Sequence, residues 1–352
     1  MKAITAALII FTTAFSFSAH ASPRPTVTNA VDGIFAAFQK HPVVGLGEEH
    51  NLAQEMDFYV DVIRDPRFAS EVGNVVLEIG DAAQQQTIDR YINGETVPYA
   101  ELRRVWSDTV GWFPTVTALG SINLYATIRE VNLKLPPEKR IKVWLGDPPI
   151  DWSQVKTKAD WEPLEAQRDS FPAALIVREI LSNSKKALVI YGNSHFGIFP
   201  DHDDIRTLLD RTHPGALYVV TPYIGYATKN CGAAFENTSR ELRAPSLLAP
   251  VRGSSLEKDL YRPGCGTYVR APEETEAAYE MGSRNNLGLN GDALLYLGRR
   301  DQMLQVMWDP ETYLDPDYRA ELERRFLLRT GEKLEGMGPL YNPAVPRPMF
   351  GN

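Results

Sequence analysis

The chain has 352 residues, a formal net charge of -8, 43% hydrophobic residues and two cysteines. An acidic balance with no Lys/Arg cluster among aromatics argues against nucleic acid as a partner, because backbone affinity comes from neutralising phosphates. No apolar run after the first residues approaches the ~20 that a membrane-spanning helix needs. The length allows one large core, alone or with an appended lobe.

The N-terminus reads as an address. Lys2 is a short basic region, Ala6 to Phe17 is apolar, and Ala19-His20-Ala21 has the A-x-A form of a cleavage site. Residues 1–21 are therefore expected to be a secretory signal peptide, which predicts an exported protein, periplasmic or secreted. Their removal takes away Lys2 and no acid. In that setting Cys231 and Cys265 are expected to form a disulfide, with two free thiols as the alternative; their spacing matches no zinc motif.

In chain order, Val31, Ile34, Phe35 and Phe38 recur at helical spacing, so the pattern predicts a helix over Val27–Gln39. A first strand follows at Val43–Leu46. A helix carrying Leu52, Met56, Tyr59, Val60 and Ile63 comes next. A second strand is expected at Asn74–Ile79, then helices at Ala82–Tyr91, Ala100–Trp106 and Val116–Leu135, the last stopped by Pro136-Pro137. A third strand is expected at Ile141–Leu145, a helix over Leu164–Leu181 with Pro172 as its weak point, and a fourth strand at Ala187–Tyr191. A short helix at Asp203–Arg211 and a fifth strand at Ala216–Val220 follow. This alternation predicts an α/β fold with a mainly parallel central sheet flanked by helices and a helical insertion. Residues 226–290 read as a loop-rich excursion. Ala293–Leu297 reads as a late strand, Tyr318–Leu328 as a charged helix, and 331–352 as an extended tail. The main α/β domain is thus expected to span 22–330.

Chemistry gathers where the strands stop. Gly47-Glu48-Glu49-His50 and Gly192-Asn193-Ser194-His195 share the spacing G-x-x-H, and each follows an apolar strand. Two more apolar strands lead into Glu78 and Asp147. In a parallel sheet all four strand ends fall at one edge, where ligands bind. His50, Glu78 and His195 are the candidate catalytic residues, or the ligands of a divalent metal, with Asp147 beside them. Glu48, Glu49 and Glu55 surround His50, and such carboxylates orient an imidazole or favour its charged form. Asp292 precedes its strand and so falls at the opposite edge. Gly45-Leu46-Gly47 starts like a dinucleotide loop, but His50 takes the third glycine position and three acids would repel a pyrophosphate. Ser194 stands in a near G-x-S-x-G, but Phe196 replaces the last glycine of that sharp elbow.

At these residues the chain resembles the erythromycin esterase/ChaN/Tiki group of α/β proteins. Gly47-Glu48-Glu49-His50 is similar to the group's G-E-x-H and G-x-x-H segments, and Glu78 to its strand-end glutamate. Three further segments resemble the erythromycin esterase branch: Ile128-Arg129-Glu130-Val131-Asn132, Val143-Trp144-Leu145-Gly146-Asp147, and Arg168-Asp169 before a helix. The resemblance spans roughly residues 28–225. It departs at Asn51, where the group usually has glycine, and in having one residue fewer between the first Glu and His. It implies an exported hydrolase-like protein, with Arg129 as a supporting or substrate-binding residue.

Two readings of function follow. In the first, His50 activates water against an ester or amide of a small-molecule or peptide substrate, helped by Glu48 or Glu78, and His195 assists at the carbonyl or leaving group. In the second, implied by the ChaN likeness, the protein binds haem or another small molecule, with Trp106, Trp112, Phe113 and Tyr125 lining a pocket. An enzyme relic serving as an envelope scaffold is a third.

Overall fold

The computed structural model of the protein describes residues 22–50, 52–111, 118–197, 203–224, 232–261, 289–309, 314–333 and 348–349. The segment 1–21, Cys231 and Cys265, and most of the tail beyond 331 lie outside the described residues.

Eight strands form one sheet in the order β1-β7-β8-β6-β2-β5-β3-β4. They are β1 (Thr26–Asn29), β2 (Val43–Glu48), β3 (Asn74–Asp81), β4 (Lys142–Asp147), β5 (Ala187–Gly192), β6 (Leu217–Pro222), β7 (Ser246–Ala249) and β8 (Ala293–Tyr296). From β8 to β4 all neighbours are parallel; β7 pairs antiparallel with β8, and β1 antiparallel with β7. The helices are α1 (Ala30–Phe38), α2 (Ala53–Arg64), α3 (Gln85–Ile92), α4 (Tyr99–Leu102), α5 (Arg104–Ser107), α6 (Leu119–Asn132), α7 (Lys158–Glu165), α8 (Ser170–Glu179), α9 (Ile205–Thr212), α10 (Ala233–Thr238), α11 (Ser255–Leu260) and α12 (Pro316–Thr330).

The period of two in the strands builds both core layers. Val44, Leu46, Val75, Leu77, Leu188 and Ile190 face a layer that includes α1, α2, α3 and α6. Their neighbours Val43, Val76, Ala187 and Val189 face α8 and α9 on the other side. Strands buried on both faces must be apolar throughout, which is why β2 and β5 read as unbroken apolar runs. A smaller cluster of Val110, Ile150, Trp152, Val155 and Trp161 packs beneath the loops beyond β4.

Three local departures from the sequence pattern have physical causes. The helix expected from Val27 starts only at Ala30, because the Asn29 side chain caps it through the Asp32 N–H at 3.2 Å, and Thr26–Asn29 pair with β7 instead. The stretch Ala100–Trp106 is two four-residue helices, α4 and α5. The helix expected over Leu164–Leu181 is interrupted at residues 166–169, not at Pro172. Pro172 sits in the first turn of α8, where backbone N–H groups lack helical partners in any case. Within the 226–290 stretch the described residues form α10, β7 and α11. Asp292, at the start of β8, accepts from the Val219 N–H at 2.8 Å and from Arg206 at 2.9 Å, at the edge away from the strand ends.

Candidate active site at the carboxyl edge of the sheet

The sequence-predicted residues meet where β2, β5, β3 and β4 end. Glu78, 2% exposed, is the hub. Its Oε2 accepts the Gly192 N–H at 2.6 Å, and its Oε1 lies 2.5 Å from Arg168 Nη2 and 3.2 Å from His195 Nε2. Burial alone would raise its pKa; the positive His195, Arg168 and His50 overcome that and hold it well below the usual carboxylate range.

His195 is carried on the single turn Asn193–Phe196 that follows β5. Its Nδ1 is 2.7 Å from Asp169 Oδ1, so the ring lies between two carboxylates. Burial pulls its pKa down, but Glu78 and Asp169 push it up to about 10. The ring is an imidazolium at neutral pH, and both nitrogens donate. Asp147, 2% exposed, accepts the Val110 N–H and faces Arg168 Nε at 3.4 Å. Burial still dominates there and pushes its pKa up to about 7.

His50 stands on the more open side, 26% exposed, with Nδ1 2.8 Å from Glu48 Oε1. A carboxylate on Nδ1 makes that nitrogen the donor and puts the ring's basic lone pair on Nε2. Burial lowers its pKa, but Glu48, Glu78 and Glu49 together leave it raised above 6.5. Nε2 and Glu78 approach each other over Gly192: a Cβ there would lie 2.7 Å from His50 Nε2 and 3.4 Å from Glu78 Oε2. Only a glycine lets the ring close over the strand end.

The supporting acids divide. Glu48 orients His50. Glu55, fully buried on α2, accepts the Glu49 N–H at 2.8 Å and so fixes the turn that carries His50. Burial, then the charge of Glu48, raises the Glu55 carboxyl well above the usual range. A cavity of about 20 Å³ lies behind the pair, lined by Glu48, Glu78, Tyr59, Ser121 and Tyr125 among others, with room for about one water.

Arg129 is not part of this assembly. Its guanidinium reaches the carbonyls of Tyr91, Gly94 at 2.8 Å and Glu95 at 2.9 Å, so it closes the C-terminal end of α3. An arginine supplies the cationic donors that such an end lacks. Conversely, Arg168 and Asp169 contact Glu78, Asp147 and His195 but are absent from the predicted site residues, although they stand out as an R-D pair before a helix. They lie on the turn between α7 and α8, and that interruption is what turns them toward the strand ends. Tyr191 also belongs here, its ring edge-on to His195 at 5.4 Å.

The geometry does not suit the divalent metal considered for His50, His195 and Glu78. Both His195 nitrogens are engaged, Nδ1 by Asp169 and Nε2 by Glu78, and Arg168 occupies Glu78. Among the described residues no three His, Cys, Asp or Glu side chains are grouped to hold a metal ion. Nor do Trp106 and Tyr125, the two of the expected aromatics that are described, line a haem pocket. Trp106 and Tyr125 stack at 6.0 Å inside the core, 2% and 1% exposed; Trp112 and Phe113 lie outside the described residues. Among the described residues no helix is long and apolar enough to cross a membrane.

No family model and no curated protein matches the chain. Among solved structures it is similar to a protein from Bacillus cereus, with 13% identity, TM-score 0.48, and 82% of this chain and 96% of that one covered. It is also similar to the type III effector HopBA1, with 13% identity, TM-score 0.37, and 61% and 91% covered. A third similar structure is that of ChaN of Campylobacter jejuni, described with cofacial haem bound, with 13% identity, TM-score 0.36, and 59% and 94% covered.

Proposed function

We propose that the protein is an exported hydrolase of the ester or amide class, in which His50 is the general base. The observation that carries this reading is the Glu48–His50 pair. One ring nitrogen is held by a carboxylate at 2.8 Å, on a ring that stays 26% exposed. Water hydrogen-bonded to Nε2 gives its proton to the ring as its oxygen attacks the carbonyl carbon. The negative charge that develops on the carbonyl oxygen falls beside the fixed cations Arg168 and His195, whose own charge is balanced by Glu78, Asp147 and Asp169. The proton on His50 then passes to the leaving oxygen or nitrogen as the scissile bond breaks. His195 acts as a charge and not as a proton shuttle, since a group titrating near pH 10 does not release its proton at neutrality. The substrate is a small molecule or peptide.

The test is a panel of esters and amides against the mature protein. His50→Ala should abolish turnover with little change in thermal stability, because a partly exposed loop-edge ring fills little core. Ser194→Ala should keep most activity, because its hydroxyl is exposed and Phe196 replaces the last glycine of a nucleophile elbow. Loss in Ser194→Ala with retention in His50→Ala would overturn the assignment in favour of a serine esterase. If the whole panel is inert while a haem titration gives a histidine-ligated visible spectrum, the binding-protein reading replaces it.

A further inference from the structure

At the opposite edge of the sheet, where β2, β5 and β6 begin, lies a second concavity of about 650 Å³. This is within the range of small-molecule sites, about 300–1,000 Å³. Lys40, Lys185 and Lys186 line it together with His41 and His213, with no carboxylate among the lining residues. Lys40, Lys185 and Lys186 have no ion-pair partner among the described residues. Glu71 accepts from the neutral Gln39 amide at 3.0 Å and forms no ion pair with a lysine of the groove. His41 is fixed in place by its Nδ1 contact to the Gly215 carbonyl at 2.8 Å and by its packing on Tyr218 at 5.2 Å.

Three unpaired lysines converging on one groove are unusual for a chain whose net charge is -8. A parallel α/β sheet does place helix C-termini at this edge, and basic residues complement them. α1, α8 and α9 all end here, each worth roughly half a negative charge, so together they balance about one and a half of the three lysine charges and leave about one and a half.

We propose that this groove is a binding site for a soluble, multiply charged phosphate compound. The ligand class follows from the donors: the groove presents lysines, compact ammonium groups that bind phosphate oxygens as point charges. Its volume is that of a small-molecule site. The six residues of β2, at about 3.3 Å each, separate this groove from His50 by about 20 Å. A ligand here therefore makes no contact with the hydrolytic centre.

The test uses the full mature chain and inorganic tripolyphosphate in titration calorimetry at low salt. Saturable 1:1 binding is expected. Lys40→Glu with Lys185→Glu, both exposed positions, should weaken it by about tenfold or more, and Lys186→Gln alone by a smaller factor. Lys258→Glu, an exposed lysine on α11, should leave it unchanged. Circular dichroism checks that each variant is folded, and Lys186→Gln provides a second reading should the double variant not fold. A parallel arm measures co-sedimentation with anionic phospholipid vesicles. Absence of tripolyphosphate binding, binding indifferent to Lys40, Lys185 and Lys186, or binding to vesicles alone each overturns the proposal.

Discussion

At Gly192 a methyl group would press on His50 Nε2 at 2.7 Å, and the least resistant atom in the contact is the half-exposed ring itself. Gly192→Ala is therefore expected to move His50 and not the strand. Turnover should fall by roughly 10²-fold, the scale of a misplaced catalytic group, while the unfolding midpoint changes little. A large stability loss with intact turnover would show that the ring is not the part that yields. Glu48 has a separable signature. Its charge, with that of Glu78, holds the His50 pKa above the ordinary value against burial. Glu48→Gln keeps an acceptor on Nδ1 but removes the charge, so the His50 pKa falls. Because the base works only when neutral, the acid limb of the kcat/KM profile should move to lower pH, and the plateau should drop about tenfold as the base weakens. An acid limb that stays in place, or moves up, would assign that limb to another group. His50, Glu78, Asp147 and His195 are legible from sequence because each ends an apolar strand, and parallel strands bring such ends to one edge. Arg168 and Asp169 are not legible in that way, since they owe their place to a turn.

The elements show why. The apolar residues from Leu164 to Ile180 keep helical spacing across residues 166–169, so periodicity runs straight through the gap between α7 and α8. Nothing in a hydrophobic period records where the backbone pauses. β7 is hidden for a related reason: four residues between Pro245 and Pro250 are too few to carry a period, and the strand exists because β8 and β1 pair with it. The starts of β2, β3 and β5 are read to the residue, because burial on both faces keeps the runs that build them apolar, and their ends fall one or two residues short, where Glu48, Asp81 and Gly192 close the strands beyond those runs. Arg129 is the instructive misassignment. It lies in a helix segment that resembles a functional one, yet its guanidinium serves the end of a neighbouring helix, with its charge over the Tyr91 ring at 4.9 Å. Arg129→Met should cost about 1–3 kcal/mol in urea unfolding, the range for losing charge-assisted hydrogen bonds at a partly buried site. It should leave KM and kcat unchanged, and a kinetic defect without a stability loss would return Arg129 to the active site.

At the scale of the whole molecule, the charges buried beneath the strand ends bias stability with pH. Asp147 and Asp81, the latter accepting from the Ala83 and Ile150 N–H groups, are both pushed by burial from 3.8 to about 7. The native state then binds more protons than the unfolded chain between those values, so unfolding free energy falls as pH rises from about 4 to 7. His195 has the same sign over a higher window. Its native pKa of about 10 exceeds the unfolded 6.5, so its contribution is whole below 6.5 and disappears as pH climbs through 10. Glu78 is opposite: its native pKa lies below 4.5, so its contribution is present above 4.5 and is lost only as pH falls through the depressed native value. These groups together place the stability maximum on the mildly acidic side of neutrality. Urea midpoints measured at pH 5, 7 and 9 should decrease in that order. The drop from 5 to 7 should shrink in Asp81→Asn, which stays neutral in both states. That variant separates Asp81 from the charges that face His195, which remain in place and continue to produce the loss between 7 and 9. Midpoints that rise from pH 5 to 9 would mean that these carboxyls are ionised and well paired in the native protein, and that the acids at the strand ends are balanced by more positive charge than Arg168 and His195 provide.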